Sequence, residues 1–212
     1  MHYLESNNLL CSQQHGFRSG HSCLTQLLHH FDDILENFLD GNDTDCIYLD
    51  YAKAFDKVDH ALLVKKMYKY GIHSKIIRWV ESFLRGRTQQ VVVEGQLSIA
   101  ALIISGVPQG TVLGPILFLL FINDITLCVT DSVIRCFADD TRIMRAISLT
   151  QDMTILQQDL GTVIEWSVHN NMTLHEDKFD YMSHSANRSN ALQHLPYTCL
   201  LYTSDAADDR VS

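Results

Sequence analysis

Two adjacent carboxylates, Asp139 and Asp140, interrupt a β-prone stretch and constrain this chain more than any other feature. The residues before them, Ser132–Phe137, and after them, Thr141–Ala146, favour strands. The acidic pair therefore lies where a tight hairpin turn belongs. The sequence predicts a β-hairpin that carries two carboxylates at its tip.

A third carboxylate, Asp50, ends the β-prone run Asp45–Leu49, which is long enough to be a buried strand. A charge at the end of a buried strand is costly unless something compensates it. Magnesium is bound by a few carboxylates plus substrate phosphates. Paired ions stabilise the attacking oxygen and the leaving oxygen of a phosphoryl transfer. The three carboxylates together would suit such ions. The alternative is that Asp139 and Asp140 only form a polar turn.

Composition indicates a folded domain with a single core, since 46% of the 212 residues are hydrophobic and only three are proline. The six cysteines include no CxxC pair, so the sequence predicts neither disulfides nor a zinc site. Because the N-terminus is also not signal-like, it predicts a reducing intracellular setting. The most apolar run, Val112–Ile122, is shorter than the roughly 20 residues of a membrane span. It is predicted to be a buried helix in a protein without membrane contact.

Periodicity and capping residues predict further helices over 22–40, 59–70, 74–84 and 151–170. Strands over 89–94 and 97–104 flank Gly95 as a hairpin. Helices mixed with mostly antiparallel strands indicate an α+β domain.

Five ordered segments carry a resemblance to reverse transcriptases. They are Gln14–Arg18, Tyr48–His60, Ser105–Gly110, Leu113–Pro115 and Phe137–Asp140. They look most like the enzymes of non-LTR (LINE-type) retrotransposons, and the similarity runs from about residue 9 to about residue 178. The resemblance implies an RNA-directed DNA polymerase. Its implied fold is the α+β palm of a right-hand polymerase, a mostly antiparallel sheet packed on helices, with partial fingers.

The resemblance also implies roles for the residues at the acidic positions. Asp50 and Asp139 would be the principal ligands of two Mg²⁺ ions, for which Mn²⁺ could substitute, and Asp140 a weaker ligand. The backbone carbonyl of Tyr51 would complete a metal's oxygen shell. Lys178 matches a lysine that would protonate pyrophosphate, although its surroundings depart from the family pattern and a surface lysine is the alternative.

A nucleotide pocket is implied by further matches. Phe55 matches the bulky position beneath the sugar, where an aromatic ring would exclude a 2′ hydroxyl, with a core phenylalanine as the alternative. Pro108, Gln109 and Gly110 match the loop against the nucleotide, with a plain turn as the alternative. Arg18 would contact template or nucleotide phosphates, or would be an ordinary surface arginine.

The resemblance divides the chain into a reverse transcriptase domain over 1–183, with a fingers remnant at 1–43 and the palm at 44–183. A poorly defined tail is expected at 184–198, and 199–212 resembles a translated sequencing-library adaptor. The expected partners are an RNA template, a DNA primer, dNTPs and the fingers and thumb regions of a parent polyprotein. The expected location is the cytoplasm and the nucleus.

The net charge of −9 is unusual for a nucleic-acid enzyme. Basic residues concentrate between Lys65 and Arg87, either as a nucleic-acid-facing stripe or as the solvated faces of two helices. Two other functions stay open. One is a catalytically inactive fragment that at most binds nucleic acid, and the other is an RNA-templated RNA polymerase.

Overall fold

The computed structural model describes residues 1–175, 178–185 and 197–199 of the 212-residue chain. The strands in this part are β1 (Asp43–Leu49), β2 (Thr88–Gln89), β3 (Val92–Val93), β4 (Gln96–Leu97), β5 (Ala101–Leu102), β6 (Val133–Phe137), β7 (Asp140–Ile147) and β8 (Asp180–His184). The helices are α1 (His2–Ser6), α2 (Cys23–Leu39), α3 (Ala54–Lys57), α4 (His60–Lys69), α5 (Ser74–Leu84), α6 (Leu113–Ile122) and α7 (Thr150–His169), and a 3₁₀ turn, Asn123–Leu127, follows α6. This mixture confirms the predicted α+β class.

The central sheet has four strands in the order β6-β7-β1-β8, and every neighbouring pair is antiparallel. β6 and β7 form the predicted hairpin, whose two-residue turn is Ala138–Asp139. β1 pairs with β7 so that Leu49 lies opposite Thr141. Asp50, the residue after β1, therefore lies beside the turn of the hairpin.

Helices α6 and α7 pack with one face of the sheet in the main core. Ile47 of β1 and Ile143 of β7 belong to this core and are fully buried. Every residue from Leu117 to Ile122 in α6 is also buried, as expected for a helix that is apolar on all sides. The prediction of a buried helix here is confirmed. Among the described residues, no helix combines the length and apolar character needed to cross a membrane.

Helix α2 packs on β1 and β6 and begins where the sequence predicts. Ser22 and Thr25 form a capping box at its N-terminus. Ile34 packs against Cys46 and Met144 of the sheet in a second, smaller core. The rest of its apolar row is more exposed than an amphipathic pattern suggests: Leu24, Leu27, Leu28, Phe31, Leu35 and Leu39. Periodicity therefore predicted the helix but not which of its residues are covered.

The predicted hairpin around Gly95 is present but short. β3 and β4 are joined by Glu94 and Gly95, whose φ angles of +50° and +78° are both positive, as in a type I′ turn. The residues of β2 to β5 are exposed. These strands are short because no buried face stabilises a longer pairing.

Beyond residue 183, the structure describes 184–185 and 197–199. Tyr197 is buried in the main core, and its hydroxyl donates to the buried carboxylate of Asp45 at 2.5 Å. The predicted tail and adaptor-like segment otherwise lie outside the described residues.

Candidate active site

The sheet brings the three predicted carboxylates to one end. Asp50 follows β1, Asp139 lies in the β6–β7 turn, and Asp140 begins β7. The negative charge of Asp50 is close enough to repel the carboxylates of both Asp139 and Asp140.

The electrostatics of this site leave negative charge undercompensated. Partial burial raises the pKa of Asp139 and of Asp140, and repulsion from Asp50 raises both further. The Lys178 ammonium group acts in the opposite direction, because it pairs with Asp50 and attracts the other two carboxylates. The same ion pair raises the pKa of Lys178. Among the residues that the structure describes, one lysine faces three carboxylates, which leaves room for added positive charge.

The segment before Lys178 is attached to the chain around Asp50. The His175 N–H donates to the Asp50 carbonyl at 2.9 Å, and the Ala52 N–H donates to the Thr173 carbonyl at 2.9 Å. These bonds form an antiparallel bridge between Tyr51 and Leu174, directly after β1, and Lys178 lies at the carboxylates a few residues further on. The structure thus brings together all four residues predicted to act in catalysis.

A buried glutamine that the sequence analysis did not single out holds the acidic turn. The Gln14 side-chain amide donates to the Ala138 carbonyl at 3.0 Å, and its oxygen accepts the N–H groups of Ala138 at 2.8 Å and Gly16 at 2.7 Å. Ala138 has φ +55°, a left-handed conformation that is costly for a residue with a Cβ. The signal for this role was the place of Gln14 at the start of the family-like segment Gln14–Arg18.

The chain around Gln14 continues the sheet beyond β6. The His15 N–H donates to the Cys136 carbonyl, and the Cys136 N–H donates to the Gln13 carbonyl, both at 2.9 Å. A Cβ built on Gly16 would lie 2.3 Å from the backbone nitrogen of Ala138, so glycine is required for this approach. The predicted fingers remnant is therefore attached directly to the acidic turn.

Tyr51 and Phe55, the predicted aromatic site residues, both pack against the main core. Tyr51 is buried, and its hydroxyl lies 3.3 Å from the hydroxyl of Ser167. The half-buried Phe55 stacks on Phe118 with centroids 4.2 Å apart and meets Phe17 edge-on at 5.9 Å. Phe55 therefore packs on the core with part of its side chain exposed, which fits both the core-phenylalanine interpretation and the nucleotide-pocket interpretation.

The predicted nucleotide loop, 105–110, is tied to helix α3 and the residue that follows it. The Gly106 N–H donates to the Val58 carbonyl at 2.8 Å. Gly106 has φ +86°, and a Cβ there would lie 2.7 Å from the Cα of Asp56. The exposed Gln109 donates its amide N–H to the Asp56 carboxylate at 3.0 Å. The loop is fixed against the segment that carries Phe55.

The other end of this loop packs against the start of α6. The Pro108 carbonyl accepts the Thr111 hydroxyl at 2.8 Å, and a Cβ on Gly114 would lie 2.3 Å from that same carbonyl oxygen. Gly110 has φ +74° and open space where a Cβ would be. Gln109 and Gly110 are thus presented to solvent by a firmly attached loop.

Arg18 braces its own loop. Its guanidinium donates to the Cys11 carbonyl at 2.6 Å and to the Gln14 carbonyl at 3.4 Å, and the side chain is half-buried. Because one of these carbonyls belongs to Gln14, Arg18 helps to hold the residue that bonds the acidic turn. A contact with phosphates stays a prediction.

The basic segment between Lys65 and Arg87 is not a continuous surface stripe. Lys66 is buried, and its ammonium donates to Asp124 at 2.7 Å and to the Phe121 carbonyl at 2.6 Å. It also lies over the rings of Phe121 and Trp166. For Lys66 both surface interpretations are wrong, because this lysine belongs to the core beneath α6.

The chain matches the family model for reverse transcriptase (RNA-dependent DNA polymerase) over residues 1–200. The chain belongs to the reverse transcriptase family. Relatives of this reverse transcriptase include an RNA-directed DNA polymerase from the mobile element jockey of Drosophila melanogaster, 32% identical over 173 residues. A probable RNA-directed DNA polymerase from transposon BS of the same species is 29% identical over 178 residues. These relatives confirm the predicted likeness to retrotransposon enzymes.

The reverse transcriptase chain covers only part of these relatives. The two matches span 78% and 77% of this chain but 19% of each relative. It therefore spans about a fifth of the length of the curated relatives it matches.

Solved structures confirm the polymerase fold of this reverse transcriptase. Telomerase from Candida tropicalis in complex with a fragment of telomeric RNA is similar with a TM-score of 0.64 and 14% identity, covering 99% of this chain and 37% of that one. A truncated apo telomerase of the same species gives 0.58 with 15% identity, covering 84% and 37%. At these identities the likeness concerns the fold alone.

Proposed function

We propose that this domain catalyses RNA-directed DNA synthesis by nucleotidyl transfer at the end of the sheet. The observation that carries the proposal is the convergence of Asp50, Asp139, Asp140 and Lys178 in a chain of this family. Asp50 and Asp139 would hold two Mg²⁺ or Mn²⁺ ions, with the Tyr51 carbonyl and Asp140 as further oxygen donors. When bound, such ions activate the primer 3′ hydroxyl and neutralise charge on the leaving pyrophosphate.

The donor set supports this assignment. Carboxylates whose pKa values are raised by burial and mutual repulsion gain most from a nearby cation. Three carboxylates at one end of the sheet offer enough oxygen ligands for paired ions, which lie roughly 3.5 to 4 Å apart in such sites. Lys178, now paired with Asp50, would exchange that partner for the pyrophosphate and donate a proton to it.

The residues around the carboxylates would orient the incoming nucleotide. Phe55 would lie beneath its sugar and exclude a 2′ hydroxyl, because its ring stacks on Phe118 and is supported by it. Pro108, Gln109 and Gly110 would form the wall of the pocket, and Gln109 would offer hydrogen bonds to the sugar or template. Exclusion of a 2′ hydroxyl favours dNTPs and disfavours the RNA-templated RNA polymerase alternative.

The proposed partners are an RNA template, a DNA primer and dNTPs, with the domain acting as part of a longer retrotransposon protein. Arg18 would reach template phosphates only by releasing its carbonyl partners, so we assign it first to loop support.

Primer extension tests the proposal on the 212-residue chain. We expect Mg²⁺-dependent extension of a DNA primer on an RNA template with dNTPs. Asp139→Asn, which is nearly isosteric, should abolish it, whereas Asp131→Asn at an exposed position should not. A chain that folds and binds primer–template but never extends would instead support the noncatalytic fragment.

A further inference from the structure

A cluster of metal-ligating side chains lies away from the carboxylates. His30 of α2, Cys46 of β1 and His184 of β8 place one ligand atom each so that all three atoms lie within 4.8 Å of one another. We propose that His30, Cys46 and His184 bind a thiolate-preferring transition metal ion of the Zn²⁺ class.

The fold explains why these residues meet. On the antiparallel β1–β8 pair, Thr44 lies opposite His184 and Cys46 lies opposite Met182, so Cys46 and His184 are diagonal neighbours on one face. Helix α2 covers this face of β1, and Ile34, one turn after His30, packs against Cys46. Each ligand therefore comes from a different element.

Each of the two imidazoles has a buried nitrogen atom without a hydrogen-bond partner among the described residues. His30 is 6% exposed, and within the described residues its buried Nδ1 has no hydrogen-bond partner. The same is true of Nε2 of the half-buried His184. The rings meet edge-on with centroids 6.1 Å apart. Buried nitrogens left unpaired are costly, and metal coordination would satisfy them.

The distances suit a tetrahedral ion after a small adjustment. Ligand atoms around tetrahedral Zn²⁺ are roughly 3.3 to 3.5 Å apart, given Zn–N and Zn–S bonds of about 2.0 and 2.3 Å. Because the three atoms lie within 4.8 Å of one another, shifts of about 1 Å in their positions would bring them to this spacing. A fourth position would remain for water, reached past His184, which is the one ligand with partial solvent exposure.

The chemistry of the ligands selects the ion. Two imidazoles and a thiolate suit Zn²⁺, Co²⁺ and Cu ions, whereas Mg²⁺ prefers oxygen ligands. Binding would form one metal–sulfur bond and release the Cys46 thiol proton to solvent. This site is therefore chemically distinct from the carboxylates at the end of β1.

A neighbouring guanidinium strengthens this selectivity. Arg142 is 7% exposed and interacts electrostatically with both Cys46 and His30. Its Nε and Nη2 groups are buried and have no hydrogen-bond partner in the described part of the chain. A metal-bound Cys46 thiolate would give these donors an acceptor. An ion that does not bind thiolate would only be repelled by the positive charge of the Arg142 guanidinium.

Cobalt substitution on the reduced, chelator-treated full chain tests the proposal. We expect Co²⁺ to give sulfur-to-cobalt charge-transfer absorption and the strong visible bands of four-coordinate cobalt, which saturate at one thiolate-bound Co²⁺ per chain and are removed by one equivalent of Zn²⁺. His184→Gln should weaken Co²⁺ binding at least tenfold, and Cys46→Ser should abolish the charge-transfer band.

Matched controls separate this site from other thiols and from the carboxylates. Cys23→Ser, at an exposed cysteine on α2, and Asp139→Asn should both leave the sulfur-to-cobalt charge-transfer band unchanged. Circular dichroism would verify folding, and if Cys46→Ser does not fold, the partly exposed His184→Gln decides. The proposal is overturned if the folded chain gives no charge-transfer band, or if His184→Gln leaves the Co²⁺ affinity unchanged.

Discussion

At the scale of single residues, the acidic turn depends on a neighbour that takes no part in the chemistry. Ala138 is held in a left-handed conformation, and the Gln14 amide satisfies both its N–H and its carbonyl. The position of Asp139 thus depends on a side chain 125 residues earlier in the sequence.

Replacing this amide should loosen the turn. Gln14→Met keeps the size but leaves the N–H groups of Ala138 and Gly16 and the Ala138 carbonyl unpaired. We expect the free energy of unfolding to fall by about 2 to 4 kcal/mol and primer extension to fall at least tenfold under conditions where the variant is folded. Gln13→Met, next to it and only half-buried, is the control. Equal effects of the two changes would contradict the clamp.

The carboxylates should make stability depend on pH in a defined direction. Because folding raises the pKa of Asp139 and Asp140, the folded state favours their protonated forms. Without divalent cations, their contribution to stability is present at low pH and is lost as pH rises through the raised pKa values. Asp139→Asn should therefore stabilise the chain at neutral pH, as chemical denaturation across the acidic range would show.

Asp152 supplies a control of opposite sign. Burial opposes its ionisation, but the N–H groups of Leu149 and Ser148 and the Arg145 guanidinium outweigh this and lower the pKa of Asp152. Its contribution is present above the ordinary carboxyl pKa and is lost as pH falls. Asp152→Asn should thus destabilise at neutral pH, and stabilisation by that change would refute the electrostatic account.

Phe55 offers a test of sugar selection. Phe55→Val keeps an apolar contact with Phe118 but removes the ring, so the preference for dNTPs over NTPs in primer extension should fall at least tenfold. Phe83→Val, another half-buried phenylalanine on α5, should leave that ratio unchanged. Unaltered selectivity in an active Phe55→Val enzyme would show that Phe55 is only a core residue.

At the scale of elements, the site depends on how closely loop 105–110 approaches helix α3. Both Gly106 and Gly41 have positive φ, but only Gly106 has backbone atoms, those of Asp56, where a Cβ would lie. The two glycines therefore separate conformational strain from a steric clash.

Substitution at these glycines measures the difference. Gly41→Ala should cost about 1 kcal/mol of unfolding free energy, the strain of a left-handed alanine. Gly106→Ala should cost about 3 kcal/mol or more, because the loop must also move away from Asp56. Denaturant titration checks both values, and equal costs would mean that the loop adjusts freely.

At the scale of the whole molecule, the undercompensated carboxylates couple cation binding to folding. An ion bound only by the folded chain stabilises it by about 1.4 kcal/mol at ten times its dissociation constant. Mg²⁺ should therefore raise the midpoint of thermal unfolding, and Asp139→Asn should reduce this effect. Potassium chloride at equal ionic strength is the control, and an equal rise with that salt would attribute the effect to screening.

The sequence by itself determined the local elements and the identity of the family. Periodicity and capping predicted α2, α4, α5 and α7, and an unbroken apolar run predicted α6, because these signals lie within each helix. The Asp139–Asp140 pair and Asp50 were recognisable because β-prone runs flank them, and the ordered motifs predicted the palm that the telomerase structures share.

Only the tertiary structure decided which distant residues meet. Gln14 clamps Ala138, Tyr197 donates to the buried Asp45, and Lys66 enters the core. The ligands of the proposed zinc-class site likewise lie on three separate elements, with no local spacing to reveal them. Local patterns report which element a segment forms, whereas pairing across the sheet and packing of helices on its faces depend on contacts between segments far apart in the chain.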